Sequence, residues 1–446
     1  MSDITHARVF KIALPIVLSN ATIPILGAVD TGVVGQLGLP APIGAVGIGA
    51  VVLTSIYWIF GFLRMGTTGL VSQAHGTGDR GEVSAGLMRA LLIAVTAGLA
   101  LIALQVPLFW AAFKLAPASD QVESLARDYL QIRIWGAPLT ISLYAFTGWL
   151  IALERTRGVL VLQVAMNALN VGLDLWFVLG LGYGVQGVAA ATLISEIGGV
   201  AIALWLTRSA FANGLWRARA IFDRLKLTEM ARVNTDIMIR SVLLQASFTT
   251  FLFLGARQGD VTLAANQVLL QFLQITAFAL DGFAFSAESL VGQALGARSA
   301  LRLRRAAIVS SQLGIAMAVA IGLVFWIAGP AIVDIMTTAP NVRIEARAFL
   351  FWIVLAPVIG GPAWMLDGIF IGATLSREMR NAMIGSVLVY VLSLMIFVPI
   401  FGNHGLWGAL MVLNATRGAM MGRFYHRAEE KALRAAAVFG ARMQPG

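Results

Sequence analysis

The sequence predicts an all-α polytopic membrane protein of twelve transmembrane helices, arranged as two six-helix lobes related by a pseudo-two-fold axis along the membrane normal. Three observations carry that prediction. First, 59% of the 446 residues are hydrophobic and 12% are charged, with a mean hydropathy of +0.83, whereas a soluble domain is about 25% charged. Second, basic residues gather in alternate connections between apolar stretches. Third, short motifs recur at a shift of about 220 residues.

Apolar windows bounded by turn residues place the spans at about 9–35, 43–71, 84–113, 127–152, 158–181, 186–207, 233–256, 262–291, 306–335, 347–372, 382–401 and 405–424; roughly 20 helical residues cross the hydrocarbon core. The first run is longer than a signal-peptide core and lacks a clean small-residue cleavage site, so it is expected to be retained. Arg8 and Lys11 precede it, Arg80 follows the second span, Arg155 and Arg157 the fourth, and Arg208, Arg217, Arg219, Arg224, Lys226 and Arg232 the sixth. Arg298 to Arg305, Arg377, Arg380 and the tail from Arg427 continue the pattern, while the connections 36–42, 182–185 and 402–404 carry no Lys or Arg and Lys114, Arg127, Arg257, Arg343 and Arg347 are the exceptions on that side. The positive-inside rule then puts both termini in the cytoplasm, which demands an even number of spans.

The repeat gives the domain plan. Ser72-Gln-Ala-His-Gly76 matches Gly292-Gln-Ala-Leu-Gly296, Ala137-Pro138 matches Ala356-Pro357, and Gly184-Val-Gln-Gly187 matches Gly405-Leu-Trp-Gly408. Six spans per half is even, so both halves enter the membrane from the same side, the parallel-repeat arrangement of secondary transporters. The amino-terminal lobe is expected at 1–207, a cytoplasmic linker at 208–232, the carboxy-terminal lobe at 233–424 and a cytoplasmic tail at 425–446.

Polar groups inside the spans are the candidate functional residues, because a charge near the bilayer centre costs about 2.5–3.5 kcal/mol on insertion scales and is usually turned towards protein or water. Asp30 lies in span one, beside Asn20, Gly27 and Thr31, where Pro15 and Pro24 interrupt the hydrogen-bond ladder; Pro24 is the expected hinge. Span five carries Asn167, Asn170 and Asp174 at spacings of three and four, one stripe of a helix. Thr192 and Glu196 in span six look the same way. Such a cluster can hold a proton or coordinate sodium through oxygens. Shifting Asp30 and Asp174 by the repeat lands on Thr250 and Leu394, so an ion site is expected in one lobe. The second half has its own acids: Asp281 and Glu288 in span eight, and Asp367 in span ten, expected as further coupling or substrate-cavity residues. Arg64 in span two lies too deep to snorkel easily, and an Arg64–Glu288 pair across the lobes is one expectation.

The composition also excludes classes. There is no cysteine, hence no disulfide or thiolate metal site, and with four histidines, no His-Glu-x-x-His and no Gly-x-Ser-x-Gly, no enzyme is expected. The net charge of +10 is a topology signal, so no nucleic-acid partner is expected. A passive channel would need rings of equivalent polar groups, which the unequal halves disfavour.

The motifs resemble the multidrug and toxic compound extrusion (MATE) family, and within it the DinF-type branch. The resemblance runs through Leu14 to Asn20, Val29 to Gly32, Pro40 to Gly47, Phe62 to Gly69, Asn170 to Asp174, Asp281 to Phe285 and Leu366 to Thr374. It implies a V-shaped cavity and an antiporter that exports organic, cationic or amphipathic compounds in exchange for protons or sodium by alternating access. It further implies that Asp30, Asn170, Asp174 and Thr192 form the cation or proton site, and that Asp367 matches an acid some members use for sodium. Those members carry a glutamate in the seventh helix, where Arg240–Gly255 offers Gln245 and no acid; protons are therefore the expected coupling ion, with sodium as the alternative and no cofactor or resident metal. The rival reading is a flippase for lipid-linked precursors of the same superfamily, which predicts inward-facing Arg and Lys. The expected setting is a bacterial inner membrane, with membrane lipid and small organic substrates as partners and the chain monomeric.

Overall fold

The computed structural model describes residues 3–36, 39–115, 119–212 and 218–443, and among these every regular element is helical. Eleven helical segments are long and apolar enough to cross a membrane. The last, Ser376–Val438, has 63 residues, well beyond the roughly 20 that one crossing needs. Inside it Gly402 adopts φ 56° and ψ −128°, a conformation open to glycine because it has no Cβ. A Cβ on Gly405 would lie 2.2 Å from the Phe397 carbonyl oxygen, and Ser386 Oγ lies 3.9 Å from Met420 Sδ. The chain therefore doubles back at Gly402 as a helical hairpin, and the twelve expected crossings are present.

Three boundaries differ from the apolar windows. Span one is two helices, α1 (His6–Ala21) and α2 (Ile23–Gly35), because Pro24 in the first turn of α2 has no N–H to offer the Asn20 carbonyl. After α3 (Pro40–Ile59) and α4 (Phe62–Thr77), span three divides into α5 (Arg80–Ala103) and α6 (Gln105–Leu115). Span four begins early, with α7 (Asp120–Arg133). Ser119 Oγ accepts the Val122 N–H at 3.4 Å, and Asp120 and Glu123 fill the first turn, a start signal written in polar residues that a hydropathy window passes over. A short 3-10 turn joins it to α8 (Ala137–Ala152), and α9 (Thr156–Asp174), α10 (Gly184–Leu206) and α11 (Ala218–Ile221) follow. The second half comprises α12 (Arg224–Ala256), α13 (Asp260–Gly296), α14 (Ala300–Met336), α15 (Pro340–Gly372), α16 (Ser376–Phe424) and α17 (His426–Met443).

The chain forms two compact units. The amino-proximal unit holds Leu18–Val71 and Asp79–Met230, around a core that includes Val34, Leu53, Phe113, Leu130, Ile134 and Val188. Arg89, buried on α5, donates to Glu82 Oε1 at 2.7 Å and to the Ala220 carbonyl at 2.6 Å, which fastens α11 of the expected linker; residues 213–217 of that linker lie outside the described residues.

The carboxy-proximal unit holds Ala231–Gly446 together with Met1–Val17 and Ser72–Gly78. These two early segments pack with the second half, and specific contacts explain it. Ser286 Oγ donates to the Val9 carbonyl at 3.3 Å and Arg305 Nε to that of Ile4 at 2.8 Å. The repeated turns also pack on each other: a Cβ on Gly76 would lie 2.2 Å from the Gln293 oxygen, and one on Gly296 2.0 Å from the Gln73 oxygen. Reciprocal contact between equivalent residues is what a two-fold relation produces. Helices α13 and α15 touch backbone to backbone, with Gly368 against the Ala284 carbonyl and Gly372 against that of Glu288, the small-xxx-small spacing of tight membrane packing. The tail helix α17 docks through buried Ala428 and Ala432, and Lys431 Nζ donates to the Ala373 carbonyl at 2.8 Å.

Candidate functional site

Four residues expected to act together are together. Asp30 on α2 and Asp174 at the end of α9 lie within hydrogen-bonding reach of each other. The Asn170 amide, oriented by its surroundings, donates to Asp30 Oδ1 at 3.2 Å and to Asp174 Oδ2 at 3.1 Å, while its oxygen accepts from Thr192 Oγ1 at 3.2 Å. Thr192 is also within 2.9 Å of the Val188 carbonyl, so its one proton is shared between two acceptors. Asp174 is fully buried, and its Oδ1 has no hydrogen-bond partner.

The local backbone explains how these side chains meet. Asn170 and Asp174 are one helical turn apart on α9, and directly after Asp174 the helix widens over Leu175–Gly180 into π geometry, with Leu181 N–H donating to the Trp176 carbonyl at 2.9 Å. Such widened turns are frequent at functional sites. One turn before Asn170, Asn167 donates to Thr22 Oγ1 at 2.8 Å and to the Thr22 carbonyl at 3.4 Å. The amide stripe of α9 therefore grips the break in span one at the same time as it bridges the carboxylates. Pro24 stands two residues beyond that break.

Glu196 is not a free member of the cluster. Arg133 holds it in a bidentate pair at 2.8 and 2.9 Å, and Thr140 Oγ1 adds a third bond at 2.8 Å. Its charge is thus matched, and Arg133 is also the positive charge that acts on Asp30. Tyr129 and Tyr57 flank Arg133, and the Tyr57 hydroxyl is buried without a partner.

In the carboxy-proximal unit, Asp367 on α15 pairs with Arg240 on α12 and lies 3.4 Å from Arg417 Nη2 on α16. Span seven, which offers no acid between Arg240 and Gly255, delivers a guanidinium to this carboxylate. Asp281 is half-buried and Glu288 is buried, both on α13 of this unit; Arg64, also buried, belongs to the amino-proximal unit. Sequence reasoning missed Arg133, Arg240 and Arg417. The signal available was the one applied to the acids, a charge inside or at the rim of an apolar run. Among the described residues no group of three or more His, Asp or Glu side chains gathers as a metal cluster.

Twelve apolar crossings built on an internal duplication, with charged constellations buried in both units, define an integral membrane transporter. The chain belongs to the MatE family, which it matches twice, at residues 15–176 and 237–398, an offset close to the one its short motifs display. It is similar to DNA damage-inducible protein F of Escherichia coli (strain K12), with 38% identity over 428 residues, 94% of this chain and 91% of that one. It is 26% identical over 425 residues to Protein DETOXIFICATION 44, chloroplastic, of Arabidopsis thaliana, covering 92% of this chain and 80% of that one. An outward-facing multidrug resistance MATE family transporter of the MOP superfamily shares its fold with a TM-score of 0.87 over 96% of each chain, at 18% identity.

Proposed function

We propose that this chain is a secondary active antiporter of a bacterial inner membrane, with both termini cytoplasmic, that expels organic cationic or amphipathic solutes by alternating access while protons enter through Asp30 and Asp174. The observation that carries this reading is the amide bridging two carboxylates in membrane-spanning helices, for neither of which an ion pair is found among the described residues. The names of the relatives, multidrug resistance transporter among them, support the export of organic compounds.

Chemically, a carboxyl pair that already shares a neutral donor can accept and return a proton with a small rearrangement of hydrogen bonds. Asn170 lies within hydrogen-bond distance of both acids whichever way its amide is turned, a position from which it responds to the charge of either. Protonation alters what Asn170 bonds, and Asn167 on the same stripe holds the Thr22 break, so the charge state of the acids reaches the bend of span one. The ion drives transport only by binding the inward- and outward-open forms unequally, and that bend is the element through which they differ.

The test is efflux of a fluorescent organic cation from proteoliposomes under an imposed proton gradient and then a sodium gradient. Efflux should follow the proton gradient and be lost in Asp30→Asn and Asp174→Asn. Full proton-driven efflux in Asp30→Asn would overturn the assignment.

A further inference from the structure

The coupling scheme leaves unused the buried charges of the carboxy-proximal unit. Arg240, Asp367 and Arg417 come from three different helices, and their side chains are 8%, 8% and 3% exposed. Both guanidinium groups reach the same carboxylate oxygen, Asp367 Oδ2. The charges acting on Arg417 are Asp367 and Arg240. A guanidinium does not give up its proton in a protein, so the cluster sets two positive charges against one negative. Its hydrogen bonding is incomplete as well: Arg240 Nε, Arg417 Nε and Asp367 Oδ1 are buried without partners. An excess cation with unmet donors is costly in a dry interior unless an anion joins it. Beside it, half-buried Trp364 lies 5.9 Å from the Arg417 guanidinium, one turn of α15 before Asp367.

We propose that this cluster is a binding subsite for an organic anion. A carboxylate or sulfonate head takes the free donors of Arg417 and Arg240, whose planar forks match a head with two or three oxygens, and a flat apolar body lies against Trp364. A cationic head fits poorly, since an ammonium brought to the unpartnered Asp367 Oδ1 would face two guanidinium groups. The inference adds a substrate class to the export reading and rests on it for the claim that the bound anion is carried; binding itself needs no gradient and is measured apart from coupling.

The experiment is equilibrium dialysis of naphthalenesulfonate, and of naphthyltrimethylammonium as its cationic counterpart, against the purified full chain in phosphatidylcholine nanodiscs. The wild-type chain should bind the sulfonate saturably, with benzoate competing and benzylamine failing to compete, a comparison that needs no variant. Arg417→Gln should weaken sulfonate binding by roughly tenfold or more, the equivalent of at least one strong polar contact. Arg417→Lys, which keeps the charge but not the fork, should fall between, Trp364→Leu should weaken it, and Asp367→Asn should tighten it by removing the competing anion. The proposal is overturned if Arg417→Gln, eluting as a single folded species, keeps wild-type affinity for the sulfonate. Ammonium binding that disappears in Asp367→Asn would likewise overturn it and mark a cation site.

Discussion

Glu196→Gln should cost more stability than Arg133→Gln, and the double variant should cost less than either. The pair is bidentate, both side chains are 8% exposed, and Thr140 adds a third bond. Breaking one partner of such a buried pair costs about 3–5 kcal/mol, chiefly because the other charge is left without compensation. The two sides are unequal. With Glu196 neutralised, Arg133 keeps its proton and its charge in a buried setting. With Arg133 neutralised, Glu196 retains the Thr140 hydroxyl as a donor, and the new glutamine amide can offer another. The double variant leaves two neutral amides in van der Waals register, so a coupling of more than about 3 kcal/mol, larger than either single loss, is expected between the sites. Unfolding titrations in mixed detergent–SDS micelles, run on all four proteins, give the cycle. If the double variant loses the sum of the two single losses, the pair has no energetic reality and the balance of charge beside Asp30 must be explained another way.

Three further outcomes test the packing. Asn167→Ala removes the bonds to Thr22 Oγ1 and to its carbonyl, and should cost about 1–2 kcal/mol and speed hydrogen exchange over residues 19–26. Gly368→Leu places a Cβ 2.4 Å from the Ala284 oxygen and should destabilise by about 1–3 kcal/mol or more through overpacking. Gly47→Ala, where a Cβ meets nothing within 4 Å, should be neutral or gain up to about 1 kcal/mol in helix propensity.

Much of the site was legible because helical periodicity is local. Asn167, Asn170 and Asp174 share a face by their spacing alone, and Asp30 announces itself as an acid in an apolar run. The hairpin at Gly402 was legible for the same reason, since hydropathy falls away at Gly402-Asn403-His404. What stayed hidden is non-local. That Arg133 meets Glu196, 63 positions away, or that Arg240 and Arg417 converge on Asp367, follows from how helices pack, which one sequence does not record. Arg133 also closes the polar helix that begins its span, where a hydropathy window does not single it out. The grouping of Met1–Val17 and Ser72–Gly78 with the second half was hidden in the same way, since the repeated turns were visible as copies but not as neighbours.

With Gly76 lodged under Gln293 and Gly296 under Gln73, each copy of the turn is the other's wall. A bulky side chain in one copy collides with the opposite strand of the same stitch, so neither can drift without compensation from its twin. Elsewhere the halves have been free to part company, and they have: threonine and leucine stand where the second half would repeat Asp30 and Asp174. The molecule can thus hold a bridged pair of acids in one half and an aspartate flanked by two guanidinium groups in the other, provided the stitch stays small.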